Sequence, residues 1–117
     1  MAEGVRIGLL IPNLFVRVSV DAAVRAAGSQ PVALSDVAQA VGSACGVVIA
    51  DLDGLGGEPA SAIGALVRSG KVVLAFGPHV HGERLADARA AGAVVLPRSV
   101  FLKRLPDLLA AARRTTT

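Results

Sequence analysis

The sequence predicts an α/β fold of three layers, in which a doubly wound, five-stranded parallel sheet is covered by helices on both faces. Five apolar runs alternate with segments whose apolar residues recur at helical spacing. Three of these runs, VRIGLLI, CGVVIA and KVVLAF, are almost continuously apolar, which is typical of parallel strands buried on both faces. The chain has 117 residues, and we expect a single domain over residues 1–114 followed by a frayed tail at 115–117.

The predicted strands and helices alternate along the chain. The strands are expected at residues 5–11, 31–34, 45–50, 71–76 and 93–96. The first helix is predicted over residues 15–27, because Val16, Val20 and Val24 recur on one face and Gly28 is a suitable stop.

The next three helices have comparable start and stop signals. Ser35 or Asp36 can cap a short helix that runs through Val41 and is stopped by Gly42. Pro59 suits the first turn of a third helix, which continues to residue 69. A fourth helix is expected over residues 82–91, before another glycine.

The last helix is predicted over residues 100–113, where Phe101, Leu105 and Leu109 form part of an apolar stripe. Helices tolerate proline best in their first turn. Pro106 therefore favours a helix that starts at Leu105, after a preceding turn.

The topology gathers polar residues at one edge of the sheet. Right-handed crossovers allow the flavodoxin-like strand order 2-1-3-4-5, in which ligands bind at the carboxyl ends of the strands. The polar residues expected there are Asn13, Asp51, Asp53, His79, His81 and Arg98. The two aspartates can also be turn residues or caps, and the histidines can be exposed or capping residues. We predict no metal site, since the histidines lie in a loop and no cysteine joins them.

Composition excludes several classes of protein. A single cysteine cannot form a disulfide within the chain, so we expect Cys45 to be a reduced, packed thiol of a cytoplasmic, bacterial protein. No signal peptide, membrane span or cofactor is indicated. The net charge of +3 is concentrated in residues 98–114, which contain five basic residues and one acidic residue. Since Tyr and Trp are absent, this basic segment does not favour nucleic-acid binding.

Two segments resemble the receiver (CheY-like) domain of two-component response regulators. VVIAD at residues 47–51 is similar to the strand that ends in the phospho-accepting aspartate, and HVHGERLADARAAGA at residues 79–93 is similar to the fourth helix and the turn after it. The order of elements matches over nearly the whole chain. The resemblance implies that Asp51 is equivalent to the phosphoacceptor.

The receiver signature is incomplete. A receiver has two acidic residues after its first strand, which hold Mg²⁺, where this sequence has Pro12 and Asn13. The switch hydroxyl after the fourth strand is replaced by Ala75 or Gly77, and the usual Lys-Pro by Pro97-Arg98. We expect Arg98 either to pair with Asp51 or to be solvated. The chain thus resembles a degenerate, stand-alone receiver.

We therefore expect a regulatory, non-enzymatic protein that acts through protein–protein contact, with a kinase or regulator as partner. The resemblance implies an interaction face on the fourth helix, fifth strand and fifth helix, with a homodimer through it. The charged residues expected on that face are Arg84, Asp87, Lys103 and Arg104. Two alternatives remain. One is a small-molecule or anion site at the sheet edge, using Asn13, Asp53, His79, His81 and Arg98; the other is an atypical phosphoreceiver using Asp51.

Overall fold

The computed structural model describes residues 5–55, 58–78 and 82–116, and it confirms the predicted α/β class. Strands and helices alternate throughout these ranges. In chain order the elements are β1 (Arg6–Leu10), α1 (Leu14–Ala26), β2 (Gln30–Ala33), α2 (Val37–Gly42), β3 (Val47–Asp51), a short 3-10 turn (Leu52–Gly54), α3 (Pro59–Arg68), β4 (Val72–Gly77), α4 (Gly82–Ala90), β5 (Val94–Pro97) and α5 (Arg98–Thr116).

The five strands form one parallel sheet in the predicted order β2-β1-β3-β4-β5. Helices α1 and α5 pack on one face of this sheet, and α2, α3 and α4 pack on the other. Alternate residues of β3 enter the two cores: Val47 and Ile49 face α1 and α5, whereas Val48 and Ala50 face the opposite helices. Every residue of β3 is buried, as its continuous apolar sequence predicts.

Glycines follow α1, α3 and α4 where the sequence predicts a stop, whereas Gly42 is the last residue of α2 and Ser43 caps it. Gly28, just after α1, has a φ of 81°, and Gly92, after α4, has a φ of 113°. These left-handed backbone conformations are strained for residues with a Cβ atom. They turn the chain back toward the sheet.

Helix α5 is longer than the sequence predicts. It begins at Arg98, two residues before the start predicted near residue 100, and it continues through Pro106, so the alternative start at Leu105 is wrong. Phe101, Leu105 and Leu109 are buried in one cluster, an arrangement that requires a continuous helix across Pro106. Burial of each such side chain contributes about 1.5–3 kcal/mol. Together they outweigh the ~3 kcal/mol cost of a proline in a helix interior.

Within the described residues, no helix is both long enough and apolar enough to cross a membrane. The predicted packed thiol is also confirmed, because Cys45 is buried and unpaired just before β3. It precedes the amino end of β3, whereas Asp51 ends this strand at the carboxyl edge of the sheet, and the backbone carbonyl of Cys45 accepts a hydrogen bond from Lys71 Nζ at 2.7 Å.

Candidate functional site at the carboxyl edge of the sheet

Asp51 is a buried carboxylate at the end of the central strand β3. The residue is only 4 % exposed, and among the described residues Ser29 is the one other buried polar residue. Its Oδ1 atom accepts a hydrogen bond from the N–H of Asp53 at 3.1 Å, and so caps the 3-10 turn that follows. The structural interpretation of Asp51 as a capping residue is therefore correct.

Arg98 lies beside Asp51 because of the register of three strands. Asp51 pairs with Phe76 on β4, and Phe76 pairs with Leu96 on β5. Arg98 follows β5 directly as the first residue of α5, the helix that packs on the same face as Phe76 and Leu96. Its Nη2 atom lies 3.9 Å from Asp51 Oδ2, and its guanidinium carbon lies 6.0 Å from the centre of the Phe76 ring. Both expectations for Arg98 are met in part, because the side chain contacts Asp51 and is also about half exposed to solvent.

Burial raises the pKa of Asp51 above its ordinary value of 3.8, because an apolar environment disfavours the charged form. The N–H of Asp53 and the Arg98 guanidinium lower this pKa, and the Asp53 carboxylate raises it further. Burial is the largest of these effects, so the pKa remains raised overall. A carboxylate that already carries this desolvation cost requires a cation close by when it ionises, and Arg98 is that cation.

The residues after β1 are used for folding. Asn13 caps α1: its Oδ1 atom accepts a hydrogen bond from the N–H of Val16 at 3.1 Å. Pro12 packs against Gly54 so closely that a Cβ atom added to this glycine would collide with the proline ring. The cap was recognisable in the sequence, since an asparagine directly before an apolar helical repeat is a standard start signal.

Asp53 and Arg84 form an exposed pair, with Asp53 Oδ1 3.4 Å from Arg84 Nη1. Arg84 and Asp87 also line a depression with Glu58 and two other residues at the start of α3. Lys103 and Arg104 are exposed on α5, which packs on the opposite face of the sheet from α4. The structure therefore brings Arg84 to Asp53. His79 and His81 lie outside the described residues.

No protein-family model and no curated protein matches the sequence. Solved structures do match. A response regulator from Thermotoga maritima has a TM-score of 0.77 at 15 % identity, covering 93 % of this chain and 97 % of that one. An orphan response regulator of H. pylori has a TM-score of 0.75 at 14 % identity, covering 96 % and 98 %. This chain has the fold of a receiver domain. A protein from Burkholderia pseudomallei, described as pilus assembly-related, is similar at a TM-score of 0.79 and 22 % identity, covering 98 % and 93 %.

The receiver fold implies a Mg²⁺ site next to the phosphoacceptor, and the residues at that position do not fit one. Mg²⁺ requires oxygen ligands, usually carboxylates. The Pro12 side chain offers no oxygen, the Asn13 side chain already caps α1, and the Asp53 carboxylate faces Arg84. Within the described ranges, no group of three His, Cys, Asp or Glu residues is arranged to hold a metal ion.

The receiver fold of this chain also has an apolar groove that the sequence analysis missed. It lies between the first turns of α1 and α5 and has a volume of about 180 Å³. The residues that line it are Phe15, Val16, Ser19, Val20, Phe76, Arg98, Phe101 and Leu102. A signal was present in the sequence: Leu14, Phe15 and Val18 are apolar but do not belong to the stripe formed by Val20 and Val24.

Proposed function

We propose that this receiver-fold domain is a regulatory module that acts through contact with a protein partner and is not phosphorylated in the usual Mg²⁺-dependent way. The observation that carries the proposal is the contact between Asp51 and Arg98. An arginine side chain supplies positive charge to the phosphoacceptor-equivalent position from within the chain. The partner class is a kinase or another regulator, and the proposed location is the cytoplasm of a bacterium.

Charge balance supports this proposal. Transfer of a phosphoryl group to an aspartate builds negative charge on the transferred oxygens, which a metal ion normally offsets. Here the two positions that would hold the metal contain a proline and a helix-capping asparagine. Arg98, the first residue of α5, holds one positive charge near Asp51, where a receiver would bind a divalent cation. Asp51 therefore faces one arginine charge, and its acidic neighbour Asp53 pairs with Arg84.

The proposed lack of Mg²⁺-dependent phosphorylation is tested by incubation with acetyl phosphate and Mg²⁺, followed by mass spectrometry of the intact protein. The proteins compared are the wild type, Asp51→Asn, and Asp53→Asn as a matched control. We expect no phosphoryl mass increment in any of them. An increment in the wild type and in Asp53→Asn that Asp51→Asn abolishes would overturn the proposal and establish the atypical phosphoreceiver.

A second experiment distinguishes action through a protein partner from the alternative, a small-molecule or anion site at the sheet edge. Thermal unfolding is measured with nucleotides, inorganic phosphate and divalent metals. A ligand at one hundred times its Kd stabilises a protein by about 2.7 kcal/mol, which is easily detected. We expect no shift from any of these compounds, and a saturable shift would favour the anion or small-molecule site instead.

We also propose self-association through the face formed by α4, β5 and α5. It is supported by β5, an edge strand whose Val94 is exposed. Sedimentation velocity tests this with the wild type and Val94→Asp, and Val18→Asp serves as the matched control on another exposed apolar position. A dimer that only Val94→Asp dissociates is expected. A wild-type monomer at micromolar concentrations would contradict it.

A further inference from the structure

Basic residues collect at the amino edge of the sheet, opposite the edge that carries Asp51. In a parallel α/β fold the helices run opposite to the strands, so the last turn of each helix lies at the amino ends of the strands. Six of the twelve basic residues lie at this edge, at the start of β1, just before β4 and in the last turns of three helices. They are Arg6, Arg25, Arg68, Lys71, Arg113 and Arg114. Only the last two belong to residues 98–114, where the sequence alone shows its excess of positive charge.

The acidic residues of the described ranges lie elsewhere. Three are inside helices, and of these Asp21 pairs with Arg25 at 2.7 Å. The other five end a strand, cap a helix or begin one at the carboxyl edge: Asp36, Asp51, Asp53, Glu58 and Glu83. The two edges of the sheet therefore differ in the sign of their side-chain charge.

Helix dipoles account for part of this pattern. Cations near the last turn of a helix offset the partial negative charge of its terminal carbonyl groups. Arg113 Nη1 donates a hydrogen bond to the carbonyl of Ala27, just after α1, at 2.7 Å. Lys71 Nζ donates one to the carbonyl of Ser43, the C-cap of α2, at 2.9 Å. These two cations stabilise the fold as well as adding charge to the edge.

Other cations at this edge point their charge into solvent. Arg6 begins a strand rather than ending a helix, and it is exposed. Arg68 is exposed as well, and the Arg25 side chain is 65 % exposed. Within the described ranges neither Arg6 nor Arg68 forms an ion pair. Exposed guanidinium groups suit phosphate, because their planar set of N–H donors matches two of its oxygen atoms.

The aromatic residues distinguish between the possible polyanions. Phe76 and Phe101 are buried, and Phe15 lies in the first turn of α1 at the carboxyl edge. The chain has no other aromatic residue of the Phe, Tyr and Trp class. Tight protein interfaces are usually centred on aromatic anchors, and single-stranded nucleic acids stack their bases on aromatic rings. The phosphate backbone of a duplex needs neither, since it is bound through charge.

We propose that the amino edge of the sheet binds the phosphate backbone of double-stranded nucleic acid, with Arg6 and Arg68 among the exposed contacts. Four strand spacings of about 4.8 Å give this edge a width of about 19 Å, the axial length of roughly six base pairs. The acidic carboxyl edge points away from the duplex, because like charges repel. The inference goes beyond the proposed function and does not depend on Asp51. It revises the sequence-based expectation against nucleic acids, since the charge comes from several elements and not from one segment.

The test measures binding of the full chain to a labelled duplex of about 20 base pairs by fluorescence anisotropy, between about 50 and 200 mM salt. We expect the affinity to fall by about a hundredfold or more over this range, as the neutralisation of four phosphates requires. DNA and RNA duplexes carry the same phosphodiester, so binding of either supports the inference and identifies its source. A single strand of the same sequence and vesicles of phosphatidylserine and phosphatidylcholine are the competing probes, and both should bind more weakly.

Variants locate the contact. Arg6→Gln and Arg68→Gln should each reduce the slope of log affinity against log salt by about one. Lys103→Gln is the matched control, because it removes an equal charge from an exposed position in the second turn of α5, away from the amino edge. It should leave the slope unchanged. All three residues are exposed, so the thermal unfolding temperatures should match that of the wild type.

Four outcomes would each overturn the inference. They are no duplex binding at about 50 mM salt, tighter binding of the single strand than of the duplex, vesicle binding without duplex binding, and a slope that neither arginine variant reduces. The acetyl phosphate experiment reports on Asp51 at the other edge of the sheet, so it decides the proposed function separately.

Discussion

The residue with the clearest physical signature is Asp51, an ionisable group that the fold buries. Its Oδ1 atom is satisfied by the N–H of Asp53, and its Oδ2 atom faces Arg98. Burial nevertheless raises its pKa, so ionisation of Asp51 destabilises the folded state relative to the unfolded chain. The folded protein retains this carboxyl group at a cost in stability.

Asp51→Asn should therefore make the protein more stable at neutral pH. A carboxyl group whose pKa is raised on folding stabilises the folded state below its ordinary pKa of 3.8, and this contribution is lost as the pH rises through the folded value. The variant should have a higher unfolding temperature at pH 7, and the difference should shrink toward pH 3. Urea unfolding as a function of pH measures it. Asp107→Asn, which removes an exposed carboxylate on α5, is the control. If Asp51→Asn is no more stable than the wild type at pH 7, the raised pKa of Asp51 is contradicted.

Asn13 shows how a residue at the sheet edge can serve folding. Asn13→Ala removes the acceptor for the N–H of Val16 and should cost about 1 kcal/mol of unfolding free energy. Asn13→Asp keeps an oxygen at the same place and should be as stable as the wild type. Urea denaturation of the two variants checks this. Equal stability of Asn13→Ala and wild type would show that the cap contributes nothing.

At the level of elements, α5 positions both the candidate site and the groove. Its first residue, Arg98, contacts Asp51, and the next turn supplies Phe101 and Leu102 to the groove. The C-terminal part is fixed to α1, since Arg113 Nη1 donates a hydrogen bond to the carbonyl of Ala27 at 2.7 Å. Because α5 is continuous across Pro106, its contacts with Asp51 and with Ala27 belong to one helix.

Pro106→Ala should stabilise the protein by about 1–3 kcal/mol, because it restores an N–H inside the helix and removes the steric conflict of the ring. Pro59→Ala is the matched control. Pro59 occupies the first turn of α3, where proline is favourable, so its replacement should not stabilise the protein. Urea denaturation compares the two. If Pro106→Ala is also neutral, the helix starts near Leu105.

The sequence predicted the elements better than it predicted their contacts. Continuous apolar runs and glycine stops depend on local residues, so the strands and most helix ends were correct to within a few positions. The alternative start of α5 at Leu105 was wrong, because burial of Phe101 and Leu105 depends on the rest of the core. The Asp51–Arg98 contact was one of two expectations, since a pattern of residues does not give the register between β3, β4 and β5. The groove was missed because it depends on how α1 and α5 approach each other.

Over the whole molecule, the excess positive charge and the most exposed large apolar side chain lie on the same two helices. Helices α1 and α5 hold an excess of positive charge and the exposed Phe15, while the remainder of the chain is slightly acidic. Arg98 belongs to both regions, because it lines the groove and contacts Asp51. The receiver fold of this chain thus places an arginine beside Asp51.

The most direct test of this account is the amide NMR spectrum of the wild-type protein with Mg²⁺ and beryllofluoride, a mimic of the phosphoryl group. With Arg98 beside Asp51 and no carboxylate at positions 12 and 13, the account predicts no saturable shift around residues 51–53 or at Arg98. Saturable shifts at those amides that Asp51→Asn abolishes would contradict it, because they would show that Asp51 binds the phosphoryl mimic with its metal ion.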